Sequence, residues 1–406
     1  MDYRPVPDTH EDALDAALVY AFSPERGPDY TPEGPDRPDS FHPRAMYDAP
    51  AERRDDPSAD DLTVVCGYYD FSMQIRGEVH EAGGVSAVAS PPEYRREGLV
   101  RDLLTAVHRE FRDDGVAFAT LWPFEFPFYR RLGYARVNDY SRTTVAPDAL
   151  SSACPPAEGT YERLDPDDWA RADDVYAAWG PADLRLDRSE EWWRTRVFQS
   201  WQTDPYVYGW TAGDAGDDLG GYLVYTVEDG DDGKTLAVSE FAYRDREARG
   251  HLLRFCRNHD SQVERVRIPS TADERLFDDL DDPRAAETEV RPGPMVRLVD
   301  VAAALESISY PVDVEAEVVL DVRDDTCPWN DQPFRLRVAG GRGTVSAVET
   351  DAAGVTLGVG ALSRLVVGSH GSDRLVEIGE VEVDDETRSD LAAAFPRTEP
   401  FLREGF

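Results

Sequence analysis

Along residues 85–134 the spacing of apolar positions changes twice, from strand-like to helical and back. Leu99, Val100, Leu103, Leu104, Val107 and Phe111 fall on one face of a helix over Gly98 to Phe111, with Arg101, Asp102, Arg109 and Arg112 opposite. Strand-like runs lie on either side, Val85 to Ser90 before it and Val116 to Trp122 after it. Upstream, the pattern predicts a short opening strand and a helix over Asp12 to Phe22. A long polar stretch rich in Pro and Asp then runs through Asp60, followed by strands over Leu62 to Tyr69 and Met73 to His80. Helices alternating with strands imply an α+β unit with an α/β-type mixed sheet, assigned to residues 1–150.

Ser151-Ser152-Ala153-Cys154-Pro155-Pro156 is loop chemistry and marks a boundary. Beyond it the order repeats: helices over Asp167 to Trp179 and Ser189 to Trp201, strands over Tyr206 to Trp210, Tyr222 to Thr226 and Leu236 to Tyr243, and a helix over Glu247 to Asn258. A duplicated unit over 151–292 is therefore expected. Arg291-Pro292-Gly293-Pro294 closes it, and from 293 to 406 the alternation of Val314, Ala316, Val318, Leu320 and Val322 predicts an antiparallel sheet with one buried face. Phe334-Leu336-Val338 and Val355-Leu357-Val359 supply further strands. Helices are expected over Val301 to Ser307, Ala361 to Val367 and Asp385 to Phe395.

Charge narrows the partners. The 406 residues carry 81 acidic and 43 basic side chains, a formal net charge of −38, with Lys234 the single lysine. Such a surface argues against nucleic acid. The acid is spread over every segment, which fits a uniformly solvated surface and resembles cytoplasmic proteins of extreme halophiles. In about 1 M salt the Debye length is about 3 Å, so carboxylates scarcely repel one another. No apolar run approaches the roughly 20 residues of a membrane span, and the first residues lack a signal-peptide pattern. A cytoplasmic protein with no membrane partner is expected. Cys66, Cys154, Cys256 and Cys327 are widely separated and the seven histidines scattered, so neither zinc nor a disulfide framework is expected.

The chemistry concentrates in Arg95-Arg96-Glu97-Gly98-Leu99 and in Phe128-Tyr129-Arg130-Arg131-Leu132-Gly133-Tyr134. Two arginines bring fixed cations, Gly98 removes the side chain that would block close backbone approach, and the helix that starts there aims N–H groups and its positive end at an anion. A pyrophosphate suits that place. In the second unit Arg246-Glu247-Ala248-Arg249-Gly250 occupies the corresponding position, but its glycine is displaced and no tyrosine block comes after it. It reads as a degenerate copy.

Together with Val88-Ala89-Ser90-Pro91-Pro92 and Met295 to Val301, these blocks resemble the Eis (enhanced intracellular survival) acetyltransferases of the GNAT superfamily, over essentially the whole chain. The resemblance implies tandem GNAT domains, the second without cofactor, followed by a sterol-carrier-protein-like domain, in a homo-oligomer that is usually a hexamer. It further implies that acetyl-CoA is held by Val88, Ala89 and Ser90, by Arg95, Arg96, Glu97, Gly98, Leu99, Val100 and Arg101, and by Glu125. Phe124 stands where many relatives have a serine and cannot donate a hydroxyl hydrogen bond. Tyr129 matches the general acid: a phenol of ordinary pKa about 10 keeps its proton at working pH and can pass it to a thiolate whose conjugate acid lies near 8.5.

The family uses its own terminal carboxylate as general base, and Phe406 closes this sequence. A carboxylate near pKa 3.5 is a weak base for an ammonium near 10.4, so burial beside apolar walls or a water relay is needed. The implied reaction is transfer of acetyl from acetyl-CoA to a primary amine, without a metal. An acidic surface favours a cationic small-molecule or peptide amine. Three rival readings remain: transfer of a different acyl group, an apolar-ligand carrier with a vestigial transferase site and a large cavity in residues 295–406, and a nonenzymatic scaffold.

Overall fold

The computed structural model describes residues 1–27, 30, 37–200, 203–213, 218–231, 233–271, 276–349 and 354–406. Trp201, the end of one predicted helix, and part of the Pro- and Asp-rich stretch before Asp60 lie outside the described residues.

Three sheets organise the chain. The first has the strand order Asp2–Pro5, Phe41–Tyr47, Leu62–Ile75, Glu78–Ala89, Phe118–Leu121, Met295–Leu298, Ala135–Arg136. The second runs Ala286–Pro292, Asp139–Val145, Arg265–Thr271, Thr235–Tyr243, Gly221–Glu228, Tyr206–Thr211, Thr160–Arg163. The third comprises Arg342–Ala347, Pro333–Ala339, Ala316–Arg323, Val355–Gly358 and Val381–Val383. The first two sheets exchange strands. Asp139–Val145 leaves the first unit and pairs with Arg265–Thr271 and Ala286–Pro292, while Met295–Leu298 returns between Phe118–Leu121 and Ala135–Arg136. No single cut near 150 or 292 separates the two sheets.

Locally the predicted elements recur with instructive differences. The predicted strand Met73 to His80 crosses a hairpin instead, because Arg76 and Gly77 take φ of 49° and 80° and so form a two-residue turn between Leu62–Ile75 and Glu78–Ala89. Phe41–Tyr47, inside the stretch read as loop, is a strand despite Pro43. The third sheet is mixed, since Ala316–Arg323 pairs antiparallel with Pro333–Ala339 but parallel with Val355–Gly358. Val359, read as a strand residue, opens the helix Val359–Val366.

The helix Leu99–Asp113 buries the predicted stripe, with Leu103, Leu104 and Val107 fully enclosed against the first sheet. Truncating one of those leucines to alanine would cost about 2–5 kcal/mol. One apolar cluster runs through all three units: Phe71 and Met73 of the first, Trp193 and Tyr222 of the second, and Leu320, Leu362 and Leu402 of the third. In the third unit Leu320, Val322, Leu336, Leu362 and Leu365 have no surface that a water-sized sphere can touch. A buried pair, Arg297 with Asp324 at 2.5 Å, ties the exchanged strand to that unit, while Arg297 also donates to the Leu132 carbonyl. The described helices include none long and apolar enough to cross a membrane.

Candidate active site

Strands Glu78–Ala89 and Phe118–Leu121 are parallel neighbours at Ala82, Gly83 and Gly84, and there the pairing stops. The two glycines let the aromatic layers close on the strand, since a Cβ on Gly83 would meet the Phe111 ring at 2.2 Å and one on Gly84 the Phe71 ring at 2.1 Å. Farther along, Ala87 takes φ of 52° and the register with Leu62–Ile75 slips, so this stretch bulges. From Val85 to Ala89 the edge that faced Phe118–Leu121 has left its ladder. Val88 and Ser90 are half-buried beside this parting and Ala89 is buried on the core side.

The next turn leads straight into the helix. Arg96 takes φ of 67° and Gly98 φ of 87°, and Gly98 is the helix N-cap with no side-chain cap at all. Left-handed Gly98 followed by helical Leu99 turns successive N–H groups toward one concavity, and the helix dipole adds positive potential there. A Cβ on Gly98 would meet nothing within 4 Å, so the glycine serves the backbone conformation and the open approach rather than packing. This arrangement fits a pyrophosphate.

The arginines have separate roles. Arg96 and Glu97 are exposed at the turn. Arg95 folds back to donate to the Ser90 carbonyl at 2.8 Å, bracing the strand end. Arg101 donates to the Asp325 carbonyl of the third unit at 2.7 Å, and Val100 is half-buried. Residues 88–90 and 95–101 are thus gathered by one strand–turn–helix connection. Glu125 is exposed on the facing connection, just before the helix Phe126–Arg130.

That short helix carries Tyr129, which is 3% exposed. Its ring meets Phe128, Phe124 and Tyr134 edge-on, with centroids 5.1, 5.6 and 6.0 Å away. Burial, and secondarily the Cys66 thiol, push the phenol's pKa above its ordinary value, so it stays protonated. Phe124 is 73% exposed at the rim.

Residues 401–406 thread between the first two units. Phe401 donates its N–H to the Asp183 carbonyl at 2.9 Å, and Leu402 to the Asn138 side chain at 3.1 Å. The Trp122 indole, one residue beyond the strand Phe118–Leu121, donates to the Glu404 carbonyl at 2.5 Å, and Arg196 donates to the Gly405 carbonyl at 3.1 Å. The Phe406 ring packs edge-on against Phe71 and Tyr69 at 4.8 and 6.1 Å. The last residue therefore sits on the first sheet, beside the strand adjoining the parting. Sequence reasoning missed Trp122, Asn138 and Arg196. Their partners are remote in the chain, and only the place of Trp122 at a strand end hinted at a role.

The second sheet repeats the frame and fills it. Thr235–Tyr243 and Arg265–Thr271 are parallel neighbours at Thr235, Leu236 and Ala237 and then part. Phe241, Ile268 and Leu276 pack together around that parting and leave a cavity of about 20 Å³, room for about one water. The helix Arg246–Arg257 has Asp245 as N-cap, its carboxylate accepting from the Ala248 N–H at 2.9 Å. Arg249 donates to Asp279 at 2.7 Å.

Comparison with known proteins agrees with this anatomy. Residues 2–137 and 184–298 match two family models described as acetyltransferase (GNAT) domains, and residues 301–403 match one described as a sterol carrier protein domain. The class is thus an acetyltransferase with tandem GNAT domains. The chain is 27% identical to the N-acetyltransferase Eis of Mycobacterium tuberculosis strain H37Ra over 359 residues, 82% of this chain and 83% of the relative. Among solved structures, a probable N-acyltransferase from Enterococcus faecalis superposes with a TM-score of 0.85 at 20% identity, covering 100% of this chain and 99% of that one. Eis1 from Mycobacterium abscessus gives a TM-score of 0.74 at 22% identity, covering 100% of both chains, which shows a shared fold. This protein is an Eis-like member of the GNAT acetyltransferases. The GNAT fold implies acetyl-CoA as co-substrate.

Proposed function

We propose that the protein transfers acetyl from acetyl-CoA to a primary amine by direct attack, with Tyr129 as general acid and the Phe406 carboxylate as general base. The observation that carries this reading is the return of residues 404–406 to the first sheet, with the Glu404 carbonyl on the Trp122 indole. Trp122 and Tyr129 belong to the same short connection after Phe118–Leu121, which supports pairing the tail with the phenol. Backbone amides at Gly98 to Arg101 would hold the pyrophosphate with Arg96 beside them. The edge of Val88 to Ser90 would hold the pantetheine arm, and Glu125 the far side of the thioester end.

In this reaction the amine nitrogen bonds to the thioester carbon while the carbon–sulfur bond breaks. The proton lost by nitrogen goes to the Phe406 carboxylate, directly or through water, and the thiolate takes a proton from Tyr129. Solvent then restores both groups, so the products are an amide and free CoA.

Extending the chain by a few residues past Phe406 should abolish transfer and leave acetyl-CoA affinity within about twofold. Full turnover in the extended protein would remove the terminal carboxylate from the mechanism.

The acidic surface favours a cationic amine, and the abundance of carboxylates with one lysine supports a halophilic, cytoplasmic setting. A melting temperature that did not fall on dialysis from molar to millimolar salt would contradict the halophilic part. The family resemblance supports a hexamer, which sedimentation in molar salt would test.

A further inference from the structure

Close to its end, the tail carries a buried charge that the reaction does not use. The Glu404 side chain is 1% exposed and lies against Arg188 of the second unit, itself 2% exposed. One carboxylate oxygen of Glu404 accepts from Arg188 Nε at 3.1 Å, from Arg188 Nη2 at 2.9 Å, and from the Tyr176 hydroxyl. The other faces the Arg403 N–H at 3.3 Å. Arg188 is held from its far side by Glu240 through two parallel bonds of 2.9 and 2.5 Å, and its guanidinium stacks 3.8 Å from the Tyr176 ring centroid and 4.8 Å from that of Trp193. This is a rigid socket, and its guest is the residue two places before Phe406.

A carboxylate at the end of a polypeptide is ordinarily frayed. Each residue extends the chain by at most about 3.5 Å, so a fixed Glu404 confines the terminal carboxylate to roughly 7 Å. The Trp122 and Arg196 bonds to the carbonyls of Glu404 and Gly405 restrict it further. Without the socket the tail beyond Leu402 keeps only those two backbone bonds and the ring contacts of Phe406.

We infer that Glu404 is a positioning residue, whose grip by Arg188 and Tyr176 presents the Phe406 carboxylate at the acetyl-transfer site. This rests on the reading of that carboxylate as general base. The degenerate second GNAT domain thereby acquires a role in the reaction, since it holds the other half of the catalytic pair.

Glu404→Ala is a clean test because Arg188 keeps both bonds to Glu240, leaving no unpaired buried cation. With an amine substrate in molar salt, kcat should fall about tenfold or more while acetyl-CoA affinity stays within about twofold. Glu404→Gln keeps an acceptor for Arg188 and Tyr176 and should recover kcat to within about threefold of the parent. Trp122→Phe, which removes the indole N–H along with part of the ring, should lower kcat about threefold by the same route. Carboxypeptidase should release Phe406 several-fold faster from Glu404→Ala than from the parent, a readout independent of catalysis.

Should Glu404→Ala bind acetyl-CoA normally and turn over at the parent rate, with unchanged carboxypeptidase release, the positioning role is overturned even if chain extension abolishes transfer. A chain-extended protein that remains fully active overturns the carboxylate reading itself, and the inference with it. If Glu404→Ala does not fold, Trp122→Phe decides, since parent-like kcat and release there also overturn the role.

Discussion

In the first sheet the parallel strands Glu78–Ala89 and Phe118–Leu121 share three paired positions and diverge, and in the second Thr235–Tyr243 and Arg265–Thr271 do the same. Beyond the two partings the chain behaves in opposite ways. The first leads to a helix whose cap is Gly98, with no side chain over the N–H groups. The second leads to a helix capped by its own Asp245, with Arg249 bound to Asp279 and Phe241 and Leu276 packed at the parting. Backbone topology alone therefore does not make an acyl-CoA site. The open site leaves amides and the exposed Arg96 for a guest, and the closed one satisfies its groups internally.

The largest effect should come from Tyr129, the proposed acid, which has no counterpart in the second unit. Tyr129→Phe should lower kcat about 100-fold or more, the range of a lost general acid, with acetyl-CoA affinity nearly unchanged. Because burial raises the phenol's pKa, its proton is retained up to a higher pH than that of a free tyrosine. Turnover limited by this group should therefore not decline on raising the pH to about 10, and a pH–kcat profile checks this.

Next in size, Gly98→Asp gives the first helix the carboxylate cap that the second already has. Its carboxylate neutralises the positive end of the helix and repels the pyrophosphate, for about 2–3 kcal/mol, a 30- to 100-fold weaker acetyl-CoA affinity by calorimetry. Gly98→Asn, uncharged and tolerant of positive φ, should lose much less. Arg96→Ala removes one exposed cation and should weaken binding about fivefold, an effect that shrinks further as salt rises.

The smallest effect on binding belongs to the other side of the comparison. Asp279→Ala breaks the pair with Arg249 and should cost about 1–2 kcal/mol of stability, read as a fall of a few degrees in melting temperature. It should create no second acetyl-CoA site, because Phe241 and Leu276 still fill the parting.

Much of the open site was legible because its parts are local. The stripe of Leu99, Leu103, Leu104, Val107 and Phe111 specifies a helix by period, Gly98 marks its start, and the tyrosine block comes within one connection. Reading Arg246 to Gly250 as degenerate needed only the absence of a glycine cap and tyrosine block. The plug itself was not legible, since Leu276 approaches Phe241 through tertiary packing that carries no periodic signal. Strand exchange was hidden for a related reason: Asp139–Val145 and Met295–Leu298 are short, and nothing in a short strand names the sheet it joins. Phe41–Tyr47 was masked by Pro43 and the acidic residues around it. The socket for Glu404 joins positions more than 150 residues apart, with Arg188 216 residues away in the chain.

Calorimetric titration of the purified chain with acetyl-CoA in molar salt tests the central asymmetry most directly. One site per chain, weakened 30- to 100-fold by Gly98→Asp and untouched by Asp279→Ala, is the predicted result. Two sites per chain, or a single site that ignores Gly98→Asp and vanishes with Asp279→Ala, would contradict it.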